Sequence, residues 1–457
     1  MEINKVSRIS TIIMVSSLCL GIALLWLYIP NPAVPIAISL LPFAILFVIN
    51  QTFWLVTLFV VFSFFRLHEA FPILFALKIP LLLSLGALSA LLWHTLISRD
   101  LKVYWHHSLT FLTIFWVLVI IGIAFASNRG EALANFKSIY WKIIVMTLAI
   151  VWLVNTSQNL GRISLLITLS GMLIAMVAIS NSINQIGLVE GTRVTIGREL
   201  GSMLGDPNDL ALVLMFPLAF SISLTTTQGI HGFVRFIGLV ATVLLIAAVI
   251  ATQSRGGLLG ALAVIGIYAF KLIRSKVLLL SIGAVGALVM YYAAGISDRA
   301  SGGAAEAGID ASAMGRLYAW EAAFKMALDR PLTGVGLNNF YSNYFFYSPH
   351  WDGLNHAVHS TWFGVLAETG FLGLAVFILF IISLIVTARR TLKHLDHHQS
   401  VVAPNLIAAA NAVYAGLMGT IVSGTFLTQG FNWPIYILAA LTVAVSYIAQ
   451  NDCQNEN

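Results

Sequence analysis

The sequence has little charge and few cysteines. Charged residues make up 9% of its 457 residues and hydrophobic residues 59%, with a mean hydropathy of +0.92. A water-soluble globule of this length needs more polar surface than that, so most of the surface is expected to face lipid. Cys19, in an apolar run, and Cys453, in the polar tail, are not expected to pair, and their spacing does not suit a metal.

Several nucleotide and metal motifs are missing from the sequence. There is no P-loop, no dinucleotide-type glycine pattern, no Asp-x-Asp motif and no soluble region that would hold a nucleotide sugar. We therefore expect no nucleotide and no metal cofactor. The net charge of +6 fits an anionic partner and basic loops on anionic lipid equally well. No nucleic-acid partner is implied.

Long apolar runs dominate the chain, and most are near the ~20 residues that cross hydrocarbon. They predict an all-α, polytopic transmembrane helical bundle with about 12–14 spans. The short runs at 33–49 and 52–65 predict a tight hairpin or a partly re-entrant pair. The first run, at about 10–29, is predicted to be a retained helix and not a removed signal peptide. The runs lie at 10–29, 33–49, 52–65, 74–97, 108–126, 138–154, 162–181, 208–225, 234–252, 256–273, 277–295, 361–387, 405–426 and 431–449.

The loops predict the orientation. Short segments at 271–276 and 388–393 are strongly basic, whereas the long segments at 182–207 and 296–360 carry many more acids. Because the positive-inside rule weighs short loops most, both termini are predicted to be cytoplasmic and the two long segments external.

The second long external segment contains a predicted amphipathic helix and an aromatic block. Residues 340–351 (FYSNYFFYSPHW) supply the aromatic block. Two compatible interpretations remain open: a loop that rests at the level of the lipid headgroups, and a wall of a site for a lipid-linked substrate. The apolar side chains at near-helical spacing within 312–328 are Leu317, Trp320, Phe324 and Leu328.

Residues 252–257 (TQSRGG) join two apolar runs with almost no loop. A charge at the edge of the hydrocarbon costs on the order of 2.5–3.5 kcal/mol at worst, so Arg255 needs a reason. Gly256 and Gly257 open backbone N–H groups at the start of the next helix, where the helix dipole favours an anion. The motif predicts either a phosphate ligand or a tight external turn with a snorkelling arginine.

A second arginine, Arg316, lies four residues before Trp320, which puts both on one face of the predicted amphipathic helix. Arg316 is predicted to contact either a lipid headgroup or a second phosphate, and Trp320 is a candidate secondary contact. Residues 205–209 (GDPND) predict a helix start, and Arg193 and Arg198 just upstream are candidate further anion contacts. Arginines are natural neutralisers of a pyrophosphate where no metal is held.

Histidines cluster before the predicted span at 361–387. This spacing is only weakly specific for zinc, and no metal is expected. The last histidine differs because it abuts the membrane helix, where it can act as a general base near neutral pH or be an ordinary interfacial residue. Glu368 points roughly to the opposite side of a regular helix and is predicted to be structural. The cluster consists of His350, Asp352, His356 and His359.

In combination and order, several segments resemble the O-antigen ligase and polymerase superfamily of bacterial membrane glycosyltransferases. Together they cover about 205–375, and the upstream helices match only in hydropathy. The matching segments are 205–214 (GDPNDLALVL), 254–257 (SRGG), Arg316 with Trp320, 330–340 (RPLTGVGLNNF) and 359–373 (HSTWFGVLAETGFLG).

The resemblance implies a membrane enzyme that moves a glycan from undecaprenyl pyrophosphate to an acceptor, on the periplasmic side of the bacterial inner membrane. It implies that Arg255 and Arg316 hold the pyrophosphate, that His359 assists the acceptor hydroxyl, and that no cofactor is needed. The expected partners are the undecaprenyl-pyrophosphate-linked glycan donor, a lipid A–core glycolipid or glycan acceptor, and membrane lipid.

We predict an O-antigen ligase. A polymerase or a protein O-glycosylation ligase would use the same chemistry, and a small-solute transporter is the alternative of another class. Transporters place charged sites near the bilayer midplane, whereas the notable charges here cluster at one face, which favours an enzyme. The predicted organisation is N-terminal transmembrane helices over 1–204, an O-antigen ligase-like core over 205–388 including the periplasmic loop 296–360, and C-terminal transmembrane helices with a short cytoplasmic tail over 389–457.

Overall fold

The computed structural model describes residues 15–17, 19–21, 23, 24, 31, 33–293, 311–351, 353–397 and 402–454. These residues form helices and no strand, with an isolated bridge between Val189 and Arg193. The helices are α1 (Ala33–Asn50), α2 (Thr52–Phe65), α3 (Leu67–Ala70), α4 (Pro72–Phe75), α5 (Ile79–Leu92), α6 (His107–Phe125), α7 (Arg129–Asn135), α8 (Trp141–Leu153), α9 (Ser157–Ile183), α10 (Pro207–Thr226), α11 (Gly232–Ala251), α12 (Arg255–Leu272), α13 (Lys276–Ala293), α14 (Ala311–Asp329), α15 (Phe340–Tyr347), α16 (Thr361–His397), α17 (Pro404–Gly424) and α18 (Trp433–Gln454).

Within the described residues, ten helices are long and apolar enough to cross a membrane, or up to eleven if a bent pair counts as one span. The predicted all-α polytopic bundle is therefore confirmed. The predicted count of 12–14 spans included the run at 10–29, which lies largely outside the described residues. It also included 277–295, where the apolar stretch Lys276–Val289 is shorter than the other spans.

The chain divides into two compact units, residues 1–56 with 82–101 and residues 57–81 with 102–457. Helix α1 and the start of α2, up to Val56, belong to the first unit, and the chain bends by 81° between them. The predicted hairpin or partly re-entrant pair stays a prediction. The imidazole of His94 donates from Nε2 to the carbonyl oxygen of Ile49 at 2.9 Å. All candidate site residues lie in the second unit. The predicted division at residues 204 and 388 stays a prediction.

Helix α10 lies at the centre of the second unit, packed against α9, α11, α12 and α17. Its start is capped as the sequence predicted: Asp206 accepts from the backbone N–H of Asn208 at 2.7 Å and of Asp209 at 3.2 Å. Pro207 occupies the first helical position. An N-cap carboxylate with a proline behind it is a strong helix-start signal, because both satisfy or remove N–H groups that have no helical partner.

Hydrogen bonds join several loops at one end of this unit, among them the two long segments that the sequence predicted to be external. Ser127 donates its N–H to Val335 at 2.9 Å, Val194 to Ala251 at 3.2 Å, and the Thr361 hydroxyl donates to Leu427 at 2.7 Å. The loops at 104–107 and 151–159 meet at the other end, where Tyr104 donates to Val151 at 2.7 Å. The membrane side of each end stays a prediction.

The helix predicted over 312–328 is confirmed as α14. Its buried face, which packs against α16, is made of four alanines and one methionine: Ala319, Ala322, Ala323, Met326 and Ala327 are fully buried. Three of the four apolar residues that the sequence put at helical spacing are instead 44–59% exposed: Leu317, Phe324 and Leu328. An exposed apolar stripe on a helix at a membrane edge is typical of a segment that rests in the interface. Residues 296–310 of the predicted loop, and Asp352, lie outside the described residues.

Candidate active site

The turn before α12 is held by its own cap. Ser254 accepts from the backbone N–H of Gly257 at 3.2 Å, so that N–H group is used by the protein. A Cβ at Gly257 would lie 2.4 Å from the Cβ of Ala211. This glycine is therefore required for the close packing of α12 on α10. The sequence analysis had considered these glycines for the N–H groups that they open and for a tight turn, and had not found this packing role.

Asn208 ties three segments together at this turn. Its Oδ1 accepts from the hydroxyl of Ser254 at 2.9 Å and from the guanidinium of Arg193 at 3.0 Å. Arg193 also donates from Nε to the carbonyl oxygen of Thr252 at 3.2 Å and is only 4% exposed. Sequence reasoning assigned residues 205–209 to a helix start and missed this role of Asn208, because its partners lie 15 and 46 residues away.

Arg255 is the first residue of α12 and is partly buried. Two residues before it, Gln253 has a φ of 50°, a left-handed conformation that is uncommon outside glycine and costs on the order of 1–3 kcal/mol. The bonds that Asn208 and Arg193 make to this turn hold that conformation in place. Arg255 thus follows directly on a turn that these hydrogen bonds tie to the start of α10 and to Arg193.

His359 lies at the junction of that loop with α16 and also has a left-handed backbone, with a φ of 45°. The residue before it is held from α14: Trp320 donates from Nε1 to the carbonyl oxygen of Val358 at 3.0 Å. The Trp320 ring stacks on Phe363, with centroids 5.1 Å apart and planes 9° apart. Trp320, a candidate substrate contact in the sequence, thus positions the backbone beside His359.

The electrostatics of His359 bring together residues from three separate segments. Burial lowers the pKa of His359, and the positive charge of Arg316 lowers this pKa further. The carboxylate of Asp206 acts in the opposite direction on the pKa, and His356 and Arg193 lower it. The positive charges of Arg316 and Arg193, from two separate segments, therefore both act on His359. Because Arg193 also bonds to Thr252, it links the environment of His359 to the turn that carries Arg255.

Arg198 has different surroundings from Arg193. It begins the short 3-10 helix Arg198–Leu200 and is exposed. Its backbone packs against the start of α10, because a Cβ at Gly205 would lie 2.9 Å from the Cα of Arg198. Its role as a secondary contact stays a prediction.

The other two histidines have different surroundings. His350 is exposed, and its ring centroid lies 4.2 Å from that of Tyr318. His356 is partly buried, with its ring 5.4 Å from the ring of Tyr344. Among the described residues, which leave out Asp352, no group of three or more His, Cys, Asp or Glu side chains is arranged to hold a metal.

Glu368 is structural, as the sequence predicted. Its carboxylate accepts from the backbone N–H of Asn338 at 2.8 Å and of Phe340 at 3.4 Å. Two residues further on, Gly370 has φ 71° and ψ −173° and breaks the helical path of α16. A Cβ there would lie 2.4 Å from the carbonyl oxygen of Pro331, and that oxygen accepts from the N–H of Phe371 at 2.8 Å. The segment from 330 to 340 is therefore clasped into the break.

The same segment is tied to the loop after α6 by Asn339, which sequence reasoning did not single out. Its Oδ1 accepts from the hydroxyl of Ser127 at 3.0 Å and from the N–H of Asn128 at 2.8 Å. Asn339 is fully buried. The sequence offers only an adjacent pair of asparagines in a glycine-rich stretch, and this pattern does not predict which loop Asn339 contacts.

One family model matches the chain: O-antigen ligase, over residues 240–378. The matched stretch contains Arg255, Arg316, Trp320 and His359 and ends shortly after the break at Gly370. The resemblance seen in the sequence is thereby confirmed. Arg193 and Arg198 lie outside the matched residues. No curated protein matches the chain.

Proposed function

We propose that this member of the O-antigen ligase superfamily transfers a glycan from undecaprenyl pyrophosphate to a hydroxyl group of lipid A–core at the periplasmic face of the inner membrane. The family supports a membrane enzyme of the ligase type. The donor, the acceptor and the membrane side are parts of the proposal.

The observation that carries the proposal is the placement of a histidine among cationic groups. His359 is partly buried at one end of the bundle, and the charges of Arg316 and Arg193 act on it. Burial and these charges lower the pKa of His359, so its imidazole is neutral at neutral pH and free to accept a proton. The same positive charges suit a pyrophosphate, since arginine binds phosphate oxygens through paired, charge-assisted hydrogen bonds.

The reaction then follows with all atoms accounted for. The acceptor oxygen forms a bond to the anomeric carbon of the glycan while the bond from that carbon to the pyrophosphate oxygen breaks. The acceptor proton goes to His359, and undecaprenyl pyrophosphate leaves with the electron pair. Arg255 and Arg316 stabilise the negative charge that grows on the leaving group, which is the interaction that lowers the barrier most in a preorganised site.

The decisive experiment is glycan transfer by the purified full-length protein from a defined undecaprenyl pyrophosphate glycan. Lipid A–core, a second carrier-linked glycan and a hydroxyl-bearing peptide should be compared as acceptors. We expect product only with lipid A–core. Product with the carrier-linked glycan would make the protein a polymerase, and product with the peptide a protein O-glycosylation ligase. No transfer to any acceptor, with retained donor binding, would contradict the proposal.

The membrane side has its own test. After replacement of Cys19 and Cys453 by serine, single cysteines are introduced as Pro349→Cys, exposed at the end that carries His359, and as Lys393→Cys, exposed on α16. We expect a membrane-impermeant maleimide to label Pro349→Cys in spheroplasts and to label Lys393→Cys only after permeabilisation. The reverse pattern would place the proposed site on the cytoplasmic side, away from the periplasmic acceptor, and would contradict the proposal.

A further inference from the structure

A polar cavity lies at the opposite end of the bundle from His359. Its volume is about 530 Å³, and it opens between the start of α6, the C-terminal part of α16 and the end of α18. Its polar lining includes His106, His107, Arg390, His394, Ser446 and Gln450. No residue of the described lining is acidic. None of these residues takes part in the proposed transfer.

Arg390 gives this cavity a permanent positive charge. Its neighbour Arg389 is occupied elsewhere: Nε donates to the hydroxyl of Tyr414 at 3.0 Å, and the guanidinium lies 5.8 Å from that ring. Arg390 makes no such hydrogen bond or ion pair within the part of the chain that the structure describes. A guanidinium at a cavity without a carboxylate favours an anion, because arginine presents several N–H donors in a fixed fork.

His106 adds a neutral donor. Its Nδ1 accepts from the N–H of Ser108 at 3.2 Å, so the ring proton of the neutral imidazole is on Nε2. Burial, and then the nearby His107, lower the pKa of His106 to about 4, so this ring stays neutral at neutral pH. Beside it, Nε2 of His107 lies 3.3 Å from the hydroxyl of Thr387. The cavity thus combines the fixed cation of Arg390 with the neutral donor of His106.

We propose that this cavity binds the phosphate group of an anionic ligand, which is either a phospholipid headgroup or a soluble phosphate compound. Three candidate membrane spans end around it: His107–Phe125, Thr361–His397 and Trp433–Asp452. Membrane phosphates lie at the depth where such helices leave the hydrocarbon. Bidentate arginine contacts are the usual way that proteins hold phosphate oxygens.

The test measures binding to the purified full-length protein in a nonionic detergent. The thermal unfolding midpoint is followed during titration with phosphatidylglycerol, with phosphatidylcholine and with sodium phosphate at constant ionic strength. A ligand that binds the folded state raises this midpoint. We expect phosphatidylglycerol or phosphate to raise it in the wild type. A response to phosphate assigns a soluble ligand, and a response to phosphatidylglycerol alone assigns a lipid headgroup.

Two variants test the cavity, and a third is the matched control. Arg390→Gln removes the charge, and the nearly isosteric Gln450→Glu adds a negative charge to the lining. Each should weaken the apparent affinity by about 10- to 100-fold, as expected for a lost charge-assisted bond. Lys393→Gln removes one exposed positive charge from the same helix, outside the lining, and should titrate like the wild type.

The proposal is overturned if the wild type responds to neither phosphate source. It is also overturned if Arg390→Gln and Gln450→Glu titrate like Lys393→Gln, since the response would then come from general lipid or salt effects. Failure here leaves the proposed glycan transfer untouched, because that site lies at the other end of the bundle.

Discussion

Trp320 and Val358 are joined by a hydrogen bond of 3.0 Å from the indole Nε1 to the backbone carbonyl oxygen. The bond fastens α14 to the residue immediately before His359. It thereby helps to hold His359 at a φ of 45°, a conformation that the chain does not favour on its own.

Trp320→Phe should therefore lower the rate of transfer without loss of the protein. The ring would remain stacked on Phe363, but the bond to Val358 would be lost, at a cost of about 0.5–1.5 kcal/mol. We expect kcat to fall about 3- to 10-fold with KM for the donor nearly unchanged. Trp351→Phe, at an exposed tryptophan, is the control. A rise in donor KM with unchanged kcat would make Trp320 a donor contact.

Arg255→Ala and Arg316→Ala should each remove most activity while the protein still inserts and accumulates. Each would lose charge-assisted bonds to the pyrophosphate, worth roughly 1.5–3 kcal/mol. Lysine should restore activity only in part, because it lacks the planar fork. Binding of undecaprenyl pyrophosphate to the purified variants is the measurement. Unchanged donor binding would identify both arginines as lipid-headgroup anchors.

His359→Ala should abolish transfer with donor binding largely retained, because loss of a general base typically costs about 10²–10⁴-fold in rate. His350→Ala and His356→Ala should stay near wild-type activity, and EDTA should not inhibit the wild type. Equal loss at all three positions, or inhibition by EDTA that zinc reverses, would point to a metal site.

The pH dependence of transfer should report the protonation of His359. Burial and then Arg316 lower the pKa of His359 below its ordinary value of 6.5. A base must be neutral, so activity should be full above the pKa of the folded protein and lost as the pH falls through it. The acid limb of kcat/KM is thus expected below pH 6.5.

Removal of the positive charge at Arg316 should shift the acid limb of the pH–activity profile. In Arg316→Gln the pKa of His359 rises, because one of the charges that lower it is gone, and the acid limb of the residual activity should shift to higher pH. Lys325→Gln, which removes an exposed positive charge of α14 that pairs with Glu321 at 2.9 Å, should leave the limb in place. An acid limb that does not move in Arg316→Gln would mean that another group titrates.

Glu368→Gln should destabilise the protein more than it affects the chemistry. An amide oxygen can replace only one of the two carboxylate oxygens that accept from Asn338 and Phe340, and an unsatisfied buried N–H costs about 1–3 kcal/mol. We expect a lower thermal midpoint and near-normal activity per folded molecule. Glu321→Gln, at an exposed carboxylate, should change the midpoint little. A normal midpoint with lost activity would make Glu368 a partner of His359.

Local signals in the sequence predicted much of the fold and some of the site. The cap of Asp206 on α10, the start of α12 beside Arg255 and the position of His359 before α16 all depend on residues close in the chain. Capping and hydrophobic periodicity act over such distances, which is why these features were readable.

Relationships between distant segments were not readable from the sequence. The two bonds to Asn208, the tie from Asn339 to the loop after α6, and the bond from Trp320 to Val358 all depend on which loops share one end of the bundle. Apolar patterning reports that a helix spans the membrane, but it does not report the neighbour against which a loop closes. Gly257 shows the same limit. A glycine is needed there because the Cβ of Ala211, on another helix, leaves no room for a side chain.

The break at Gly370 has a consequence for the construction of chimeras. Residues 330–340 fill the break through the bonds to Phe371 and Glu368, so the two halves of the clasp are complementary in shape. A splice junction between 341 and 369 would combine residues 330–340 of one protein with the break in α16 of another. Chimeras between relatives therefore call for transplanting residues 330–373 as a single segment. Helix α14, which packs against α16 through its buried alanines, should then come from the same parent.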